Sequence, residues 1–437
     1  MPDHSTPKGW TRTTIGRIAQ LVTGKTPSTK ISSNFDGPIP FVTPRDFNQE
    51  RTIFNTERSL SERGLATMPN CRVPPRSVMV YSIGMGMGSV AMTGMSCVTN
   101  QQITSIVTNE GTLSEFVFYD LSRRREELRQ RASAGSAQLI LTKGGLSQVP
   151  MDLPPYPEQC AIARVLGVLD DKIEINRRVN QTLEEICRAL FKFWFVDFGP
   201  AHAKAEGRWR KGKSLPGMPA DMWDLWPREF EESEIGGIPK GWAVRGLLEI
   251  ATLHSGGTPT TSERSYWGGG IPWVSGKDVS SAKGSFLLRT ERTVSDKGIA
   301  HSHTSPLPAR TVVITARGTV GALAILAEPM CISQTNYGLK AVNGVPDNFL
   351  RFAVEGAVEG LQQESYGTIF DTITTKNLSA TQVVLPAPPV LAAFADRTDP
   401  LMNGVLMNLR LIETLAEARD TLLPKLLSGE IRVKVDS

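Results

Sequence analysis

Apolar and polar positions along this chain follow two alternating rhythms. Up to about residue 155, short β-branched runs such as Ser77-Val78-Met79-Val80 are broken by Gly and Pro, the pattern of strands and tight turns. From Pro157 to Val196 the punctuation stops, Gly167 being the only interruption. Apolar residues there recur in steps of four and three at Ile162, Leu166, Leu169, Ile173, Leu183 and Leu190, with Asn176 and Asn180 in intervening seam positions. This spacing predicts one helix, roughly 60 Å long if continuous, with a heptad seam.

The same sequence of rhythms then returns. Strand-like runs fill residues 236–388, and a second unpunctuated stretch from about Pro389 to Leu427 places Phe394, Leu401, Val405, Asn408, Ile412, Leu415 and Leu422 on a seam. Pro400 and Pro424 in this stretch predict a late start or a kink, and an early end. The two helices either bury their seams separately or pack on each other. Matched asparagines at Asn176 and Asn408 favour mutual packing, because a polar seam residue is tolerated where it fixes register.

The recurrence extends to residue identity. Gly9-Trp10 returns 232 positions later as Gly241-Trp242, Thr23-Gly24-Lys25-Thr26-Pro27 as Ser255-Gly256-Gly257-Thr258-Pro259, and Ile39-Pro40-Phe41-Val42 as Ile271-Pro272-Trp273-Val274. Cys97-Val98-Thr99-Asn100 answers Cys331-Ile332-Ser333-Gln334 at 234, a drift that small loop insertions explain, and Leu169/Leu401 and Asn176/Asn408 return to 232. Two similar halves are joined head to tail.

Between them, Asp197 to Glu234 is rich in Gly, Pro, Trp and charge, has no period, and reads as an extended connector. Within it Gly207 to Ser214, GRWRKGKS, matches the spelling of a phosphate-binding loop. Such a loop works between a buried strand and a helix, whereas this one follows AHAKAE and precedes LPGMP. Arg208, Arg210, Lys211 and Lys213 are better read as a solvated basic linker.

Composition adds bounds. The 437 residues, 40% hydrophobic and 21% charged, support several cores, and the net charge of +4 is only weak support for a polyanionic partner. No apolar run approaches a membrane span and the start is polar, so the expected location is cytoplasmic. Five cysteines (Cys71, Cys97, Cys160, Cys187, Cys331) form no C-x-x-C pair and read as inert thiols. His301 and His303 lack visible companion ligands, Leu153-Pro154-Pro155-Tyr156 lacks the polar first residue of a methyltransferase tetrapeptide, and Gly84-Met85-Gly86-Met87-Gly88 lacks the context of a dinucleotide fingerprint. No catalytic constellation emerges, and the chain reads as a binder.

Three stretches, SGGTPTTSERSYWGGGIPWVSGKDV (255–279), PPYPEQCAIARVLGVLDDKIEINRRVNQTLEEICRALFKFWFVDF (154–198) and RDTLLPKLLSGEIRV (419–433), closely resemble the specificity subunit of type I restriction-modification systems. The resemblance covers essentially the whole chain and implies an α+β fold. In it two tandem strand-rich α/β target recognition domains alternate with two long antiparallel helices in a pseudo-two-fold internal repeat. The implied boundaries are 1–155 and 236–388 for the recognition domains, 156–197 for the central spacer helix, 198–235 for the connector, and 389–437 for the C-terminal spacer helix and tail. The implied function is recognition of a bipartite, asymmetric target in double-stranded DNA. The implied partners are two adenine methyltransferase subunits and the restriction (motor and endonuclease) subunits, with S-adenosylmethionine, ATP and Mg held by those partners and neither cofactor nor metal by this non-catalytic chain. A stand-alone bipartite DNA-binding regulator is the alternative, which co-purification with a methyltransferase would discriminate.

Under this reading the divergent loops face DNA. Copy one offers Lys25, Thr26, Ser28 and Lys30, and copy two Thr258, Thr260 and Arg264, as phosphate-seeking groups. Arg45 matches Lys277 and Lys143 matches Lys376, all expected on phosphates, with Arg317 a further candidate. Asn100, Gln101 and Gln102, and opposite them Gln334, Thr335 and Asn336, either pair with adenine edges or form turns. Tyr266 and Trp267 fit core packing better than base stacking. Arg123, Arg124, Arg125, Arg129 and Arg131 are either solvated surface or DNA contacts. Phe191-Lys192-Phe193-Trp194-Phe195 either closes the apolar end of the helix pair or receives a partner. The helix-pair seam is assigned to Leu166, Leu169, Ile173, Asn176, Leu183, Leu401, Val405, Asn408 and Leu415.

Overall fold

The repeat in the sequence is a repeat of strand order. A computed structural model describes residues 6–47, 50–132, 140–282, 284–342, 344–364 and 372–434. The chain divides into two units, one formed by residues 1–174 with 413–437 and the other by residues 175–412.

In the first unit a five-stranded sheet runs in the order Ala19–Thr23, Ile103–Thr108, Val78–Tyr81, Val90–Thr93, Thr52–Ile53, antiparallel except for the last pair. A four-stranded sheet, Arg58–Leu60, Phe35–Val42, Cys97–Thr99, Arg72–Val73, lies beside it in the chain order. Thr11–Thr14 pairs with Pro150–Leu153 and ties the ends of the module together. The core gathers Ile15, Val78, Ile106, Phe116, Tyr119 and Leu121, with Ile162 and Leu166 from the central helix and Leu426 and Leu427 from the C-terminal helix.

The second unit repeats this plan. Its five-stranded sheet is ordered Ala251–Ser255, Asn336–Ala341, Val312–Thr315, Leu323–Leu326, Phe286–Leu287, again with one parallel pair at the end. The smaller sheet keeps three strands, Arg292–Val294, Trp267–Val274 and Cys331–Ile332, and Ala243–Gly246 pairs with Gln382–Leu385 as the closing ribbon. Even the irregularities match: the long strand slips register between Phe35 and Ile39 in one copy and between Trp267 and Ile271 in the other.

The central helix is continuous over Tyr156–Phe191 and ends in a π-helical turn, Lys192–Val196. The C-terminal helix runs unbroken over Pro388–Leu427, 40 residues, so the late start and early end expected from Pro400 and Pro424 do not occur. Each proline removes one backbone donor, opposite the carbonyls of Asp396 and Asp420, and all four residues lie on the exposed face of the helix, where losing one backbone bond costs least.

Within each unit the segments of the two helices pack antiparallel. In the first, Arg419 Nη1 reaches Asp170 Oδ1 at 2.8 Å, and Arg432 donates from Nε and Nη2 to the Glu158 carboxylate at 2.6 and 2.8 Å. Glu158 is buried and also accepts from Trp10 Nε1 at 3.1 Å. Leu166 and Ile173 are buried, and Leu169 and Leu415 half-buried. In the second unit Asn408 Nδ2 donates to Asn180 Oδ1 at 2.9 Å, and Asn180 Nδ2 to Val405 O at 3.2 Å. Asn408 thus meets Asn180, one helical turn beyond the Asn176 that matches it in the repeat. Val405 is buried, with Leu183 and Leu401 half-buried around it.

The Asp197 to Glu234 segment is not the extended connector its composition predicts. It forms a helix, Gly199–Ala205, and a 3-10 turn, Ala220–Leu225, and buries Trp209, Met218, Met222 and Trp226 in the second unit's core. Those side chains meet Phe191, Trp194 and Phe195 from the end of the central helix, with Trp194 and Trp226 ring centroids 5.3 Å apart. The apolar helix terminus therefore closes a core, each buried ring contributing about 1.5–3 kcal/mol. GRWRKGKS follows a helix and leads into a Leu215–Met218 bridge, with Trp209 buried at its centre, so it has no phosphate-loop geometry.

Candidate nucleic-acid interface

In the first unit a set of hydrogen bonds draws five loops and turns into one cluster at an end of the five-stranded sheet. Gly24 N–H donates to Ile103 O and Lys25 N–H to Thr99 O, both at 3.0 Å, and Thr26 Oγ1 donates to Gln101 Oε1. Asn100 N–H reaches Val42 O at 3.0 Å, which brings the Pro44–Asp46 turn and Arg45 alongside. Ser82 N–H donates to Gln102 O at 2.7 Å and Leu141 N–H to Ser82 O at 2.9 Å, adding the Gly84 to Gly88 loop and the turn that starts at Lys143. Glycine is required at position 24, because a Cβ there would lie 2.1 Å from Asn100 O and 2.2 Å from Thr99 O.

The second unit repeats four of these bonds. Gly257 N–H donates to Ile332 O at 3.0 Å, Ser333 N–H to Val274 O at 2.9 Å, Ala316 N–H to Thr335 O at 2.8 Å and Ile373 N–H to Ala316 O at 3.0 Å. A Cβ on Gly256 would meet Ser333 O at 2.2 Å. These bonds gather the Thr258, Thr260 and Arg264 loop with Lys277, Arg317, Gln334, Thr335 and Lys376. Lys25, Ser28, Lys30, Arg45, Gln101 and Lys143 in one cluster, and Thr260, Arg264, Lys277, Arg317, Gln334 and Lys376 in the other, are exposed; Thr26, Gln102, Thr258 and Thr335 are half-buried.

The amides divide by burial. Asn336 is 1% exposed and donates from Nδ2 to Val274 O at 3.0 Å. Asn100 is 7% exposed, donates to Gln102 Oε1 and accepts from Gln102 N–H, each at 3.1 Å. The Asn100 amide and Asn336 Nδ2 are engaged inside the protein, and Asn336 Oδ1 is buried away from the surface, so both shape turns instead of meeting bases. Thr335 Oγ1 likewise lies 2.8 Å from Ser333 Oγ. Gln101 and Gln334 are the amides that face solvent.

Of the arginine run, Arg123, Arg124 and Arg131 are committed to Asp120 and Glu127, and Arg124 Nη1 also donates to Pro150 O at 2.8 Å. Paired donation from Arg124, offset by burial and helped by Arg131, holds the Glu127 carboxyl down at about 2. Trp267 packs edge-on against Trp273, with centroids 5.0 Å apart, and belongs to a small core. Tyr266 stacks on His301 at 5.3 Å. Among the described residues no group of three His, Cys, Asp or Glu is placed to hold a metal ion, and no helix is long and apolar enough to cross a membrane.

A duplicated tripeptide escaped the sequence reading. Thr56-Glu57-Arg58 and Thr290-Glu291-Arg292 stand 234 positions apart. In both copies the threonine Oγ1 donates to the arginine carbonyl at 2.7 Å, and the glutamate N–H donates to a capping aspartate, Asp46 or Asp278, at 2.9 Å. In both, the glutamate carboxylate pairs with the expected phosphate ligand: Glu57 with Arg45 at 3.1 Å and Glu291 with Lys277 at 2.7 Å. The arginine lies over two rings. Arg58 Cζ is 4.6 Å from the Phe35 centroid and 5.8 Å from Phe41, and Arg292 Cζ is 3.4 Å from Trp267 and 5.7 Å from Trp273.

Comparison with known proteins agrees with this architecture. Two segments, residues 7–185 and 239–401, match the family model of the type I restriction modification DNA specificity domain. The type I restriction enzyme MjaIX specificity subunit of Methanocaldococcus jannaschii is 27% identical over 446 residues, covering 98% of this chain and 95% of that protein. The HindI specificity subunit of Haemophilus influenzae is also 27% identical, over 67% of this chain and 71% of its own length. The crystal structure of a type I restriction-modification S subunit from M. genitalium shares the fold, with a TM-score of 0.57, 16% identity and 97% of each chain covered. With two matched segments spanning most of its length, each on a unit of the same strand order, the chain belongs to the type I restriction-modification DNA specificity family and is a subunit that recognises DNA sequence.

Proposed function

We propose that this chain reads a bipartite, asymmetric DNA target, one half-site per loop cluster, and carries no catalytic group of its own. One observation supports the reading above others: the same hydrogen-bonded loop framework is built twice, around Gly24 and around Gly256, and carries different exposed side chains each time. A shared framework places both loop sets against the same kind of ligand, and divergent side chains give each a different sequence preference. Lys25, Lys30 and Lys143 in one cluster, and Arg264, Arg317 and Lys376 in the other, serve as phosphate contacts. Gln101 and Gln334 are the amides available to base edges. The long helices set the gap between half-sites and dock two adenine methyltransferase subunits and, through them, restriction subunits. S-adenosylmethionine, ATP and Mg²⁺ act on those partners.

The test is modular exchange. Replacing residues 236–388 with another recognition domain, then mapping methylated adenines in a host supplying the methyltransferase, is expected to change one half-site and leave the other intact. A change in both half-sites would refute the assignment of one half-site to each cluster.

A further inference from the structure

We infer that Arg58 and Arg292 are paired, sequence-independent phosphate clamps, one in each unit; the inference rests on the reading of the two loop clusters as the DNA-binding surface. Three observations converge on these side chains. The first is position. Phe41, opposite Arg58 in the small sheet, pairs on its other side with Val98 in the strand that leads to Asn100 and Gln101. In the second unit the two rings under Arg292 are themselves bonded to the candidate DNA loop: Trp273 Nε1 donates to Gly257 O at 3.0 Å and Trp267 Nε1 to Thr260 O at 3.3 Å. Each guanidinium is thus fixed at the edge of a loop cluster.

The second observation is the state of the cation. Arg58 and Arg292 are exposed and have no carboxylate or hydrogen-bond partner among the described residues. Their neighbours Arg45 and Lys277 are each neutralised by the glutamate of the same tripeptide. Stacking on aromatic faces orients a guanidinium without using its N–H donors, which remain in a planar fork suited to phosphate oxygens. The free positive charge of the motif therefore sits on the stacked arginine, and preorganisation lowers the entropy lost on contact.

The third observation separates backbone contact from base reading. The loops around these arginines have diverged between copies: Lys25-Thr26-Pro27-Ser28 corresponds to Gly257-Thr258-Pro259-Thr260, and Gln102, whose carbonyl accepts from Ser82 N–H, corresponds to Thr335, whose carbonyl accepts from Ala316 N–H. The tripeptide, its hydrogen bonds and its stacked arginine are kept in both. A stacked arginine kept with its hydrogen-bonded tripeptide in both copies, while the loops around it differ, fits a ligand feature common to any two half-sites, which the sugar-phosphate backbone supplies.

The experiment measures binding of the full chain to its methylation-mapped target duplex and to a mixed-sequence duplex across a salt series, for Arg58→Gln, Arg292→Gln, the double variant and Arg58→Lys. Thermal unfolding of each variant is followed in parallel. The expected result is weaker binding to both duplexes in the same proportion, a salt slope reduced by about one per arginine and about two in the double variant, and retention of the slope in Arg58→Lys. Lowered thermal stability with the parent slope would reduce the arginines to caps on their aromatic pairs and overturn the proposal. Loss confined to the specific duplex would make them base readers and overturn it equally. A Lys25→Ala/Lys376→Ala variant separates the two levels of the argument: if it too keeps the parent slope, the loop clusters themselves are not the DNA surface.

Discussion

Replacing Asn180 with alanine tests whether the helix seam is held by the polar pair seen at its centre. Asn180 is 5% exposed and takes part in two hydrogen bonds, to Val405 O at 3.2 Å and from Asn408 Nδ2 at 2.9 Å. At about 1 kcal/mol net per bond, Asn180→Ala costs the second unit about 2 kcal/mol, and Asn408→Ala, which removes only the shared bond and is half-buried, costs about 1 kcal/mol. The double variant loses the shared bond once, so the cycle closes with a coupling of about 1 kcal/mol, above the roughly 0.3–0.5 kcal/mol expected of independent sites. Urea unfolding of the full chain followed by tryptophan fluorescence reads this unit almost alone, because every tryptophan except Trp10 lies within residues 175–412. A coupling indistinguishable from zero would show that the two amides do not stabilise each other. Replacing both residues with leucine should raise the midpoint, since a well-packed apolar seam matches or exceeds a buried polar pair, leaving register as the pair's contribution.

Gly24→Ala and Gly256→Ala each place a methyl group against backbone carbonyl oxygens, and each is expected to destabilise its unit by about 1–3 kcal/mol and to lower DNA affinity. Gly356→Ala, in the exposed face of helix Asp347–Glu364 with nothing within 4 Å, is the control and should stabilise by about 0.5–1 kcal/mol in thermal unfolding. The Glu127 carboxyl, held down at about 2 from an ordinary 4.5, contributes stability that is present above pH 4.5 and lost as pH falls toward 2. Protection factors in helix Arg125–Gln130, with exchange corrected for its intrinsic pH dependence, should therefore fall over that window in the parent and become less pH-sensitive in Glu127→Gln; equal pH dependence in both would remove this residue from the account.

Features with a period were legible in the sequence, and features fixed by irregular tertiary contact were not. The seam at Leu166, Ile173 and Val405 follows a local heptad rule, and its burial was readable from spacing alone. The segment containing Trp209, Met218, Met222 and Trp226 looked like a linker because these residues share no period; they are buried by meeting Trp194 and Trp242 from elsewhere in the chain. Pro400 and Pro424 are strong local breakers overridden by a helix whose packing outweighs one lost backbone bond at each site. Among candidate site residues, sequence placed Lys143, Lys277 and Lys376 near loop ends, where the structure has the short helices Lys143–Ser147, Gly276–Ser280 and Thr375–Ala380, but burial of Asn100 and Asn336 depends on which acceptor, Gln102 Oε1 or Val274 O, lies within reach. The Thr-Glu-Arg tripeptide was visible as a repeat at 234, although its stacked arginine gained meaning only once Phe35 and Trp267 lay beneath it.

The division of the chain into residues 175–412 on one side and residues 1–174 with 413–437 on the other has a consequence for biosynthesis. The second unit is one uninterrupted stretch and has all its residues once position 412 has been translated. The first begins emerging earlier yet lacks Leu426 and Leu427 for its core, and Arg432 for Glu158, until positions 426–432 have been translated. A nascent chain thus finishes its later module first and holds Ile162 and Leu166 without their final cover for most of synthesis. A premature stop just after residue 412 would spare the unit of residues 175–412 and disable the other one, which begins before it.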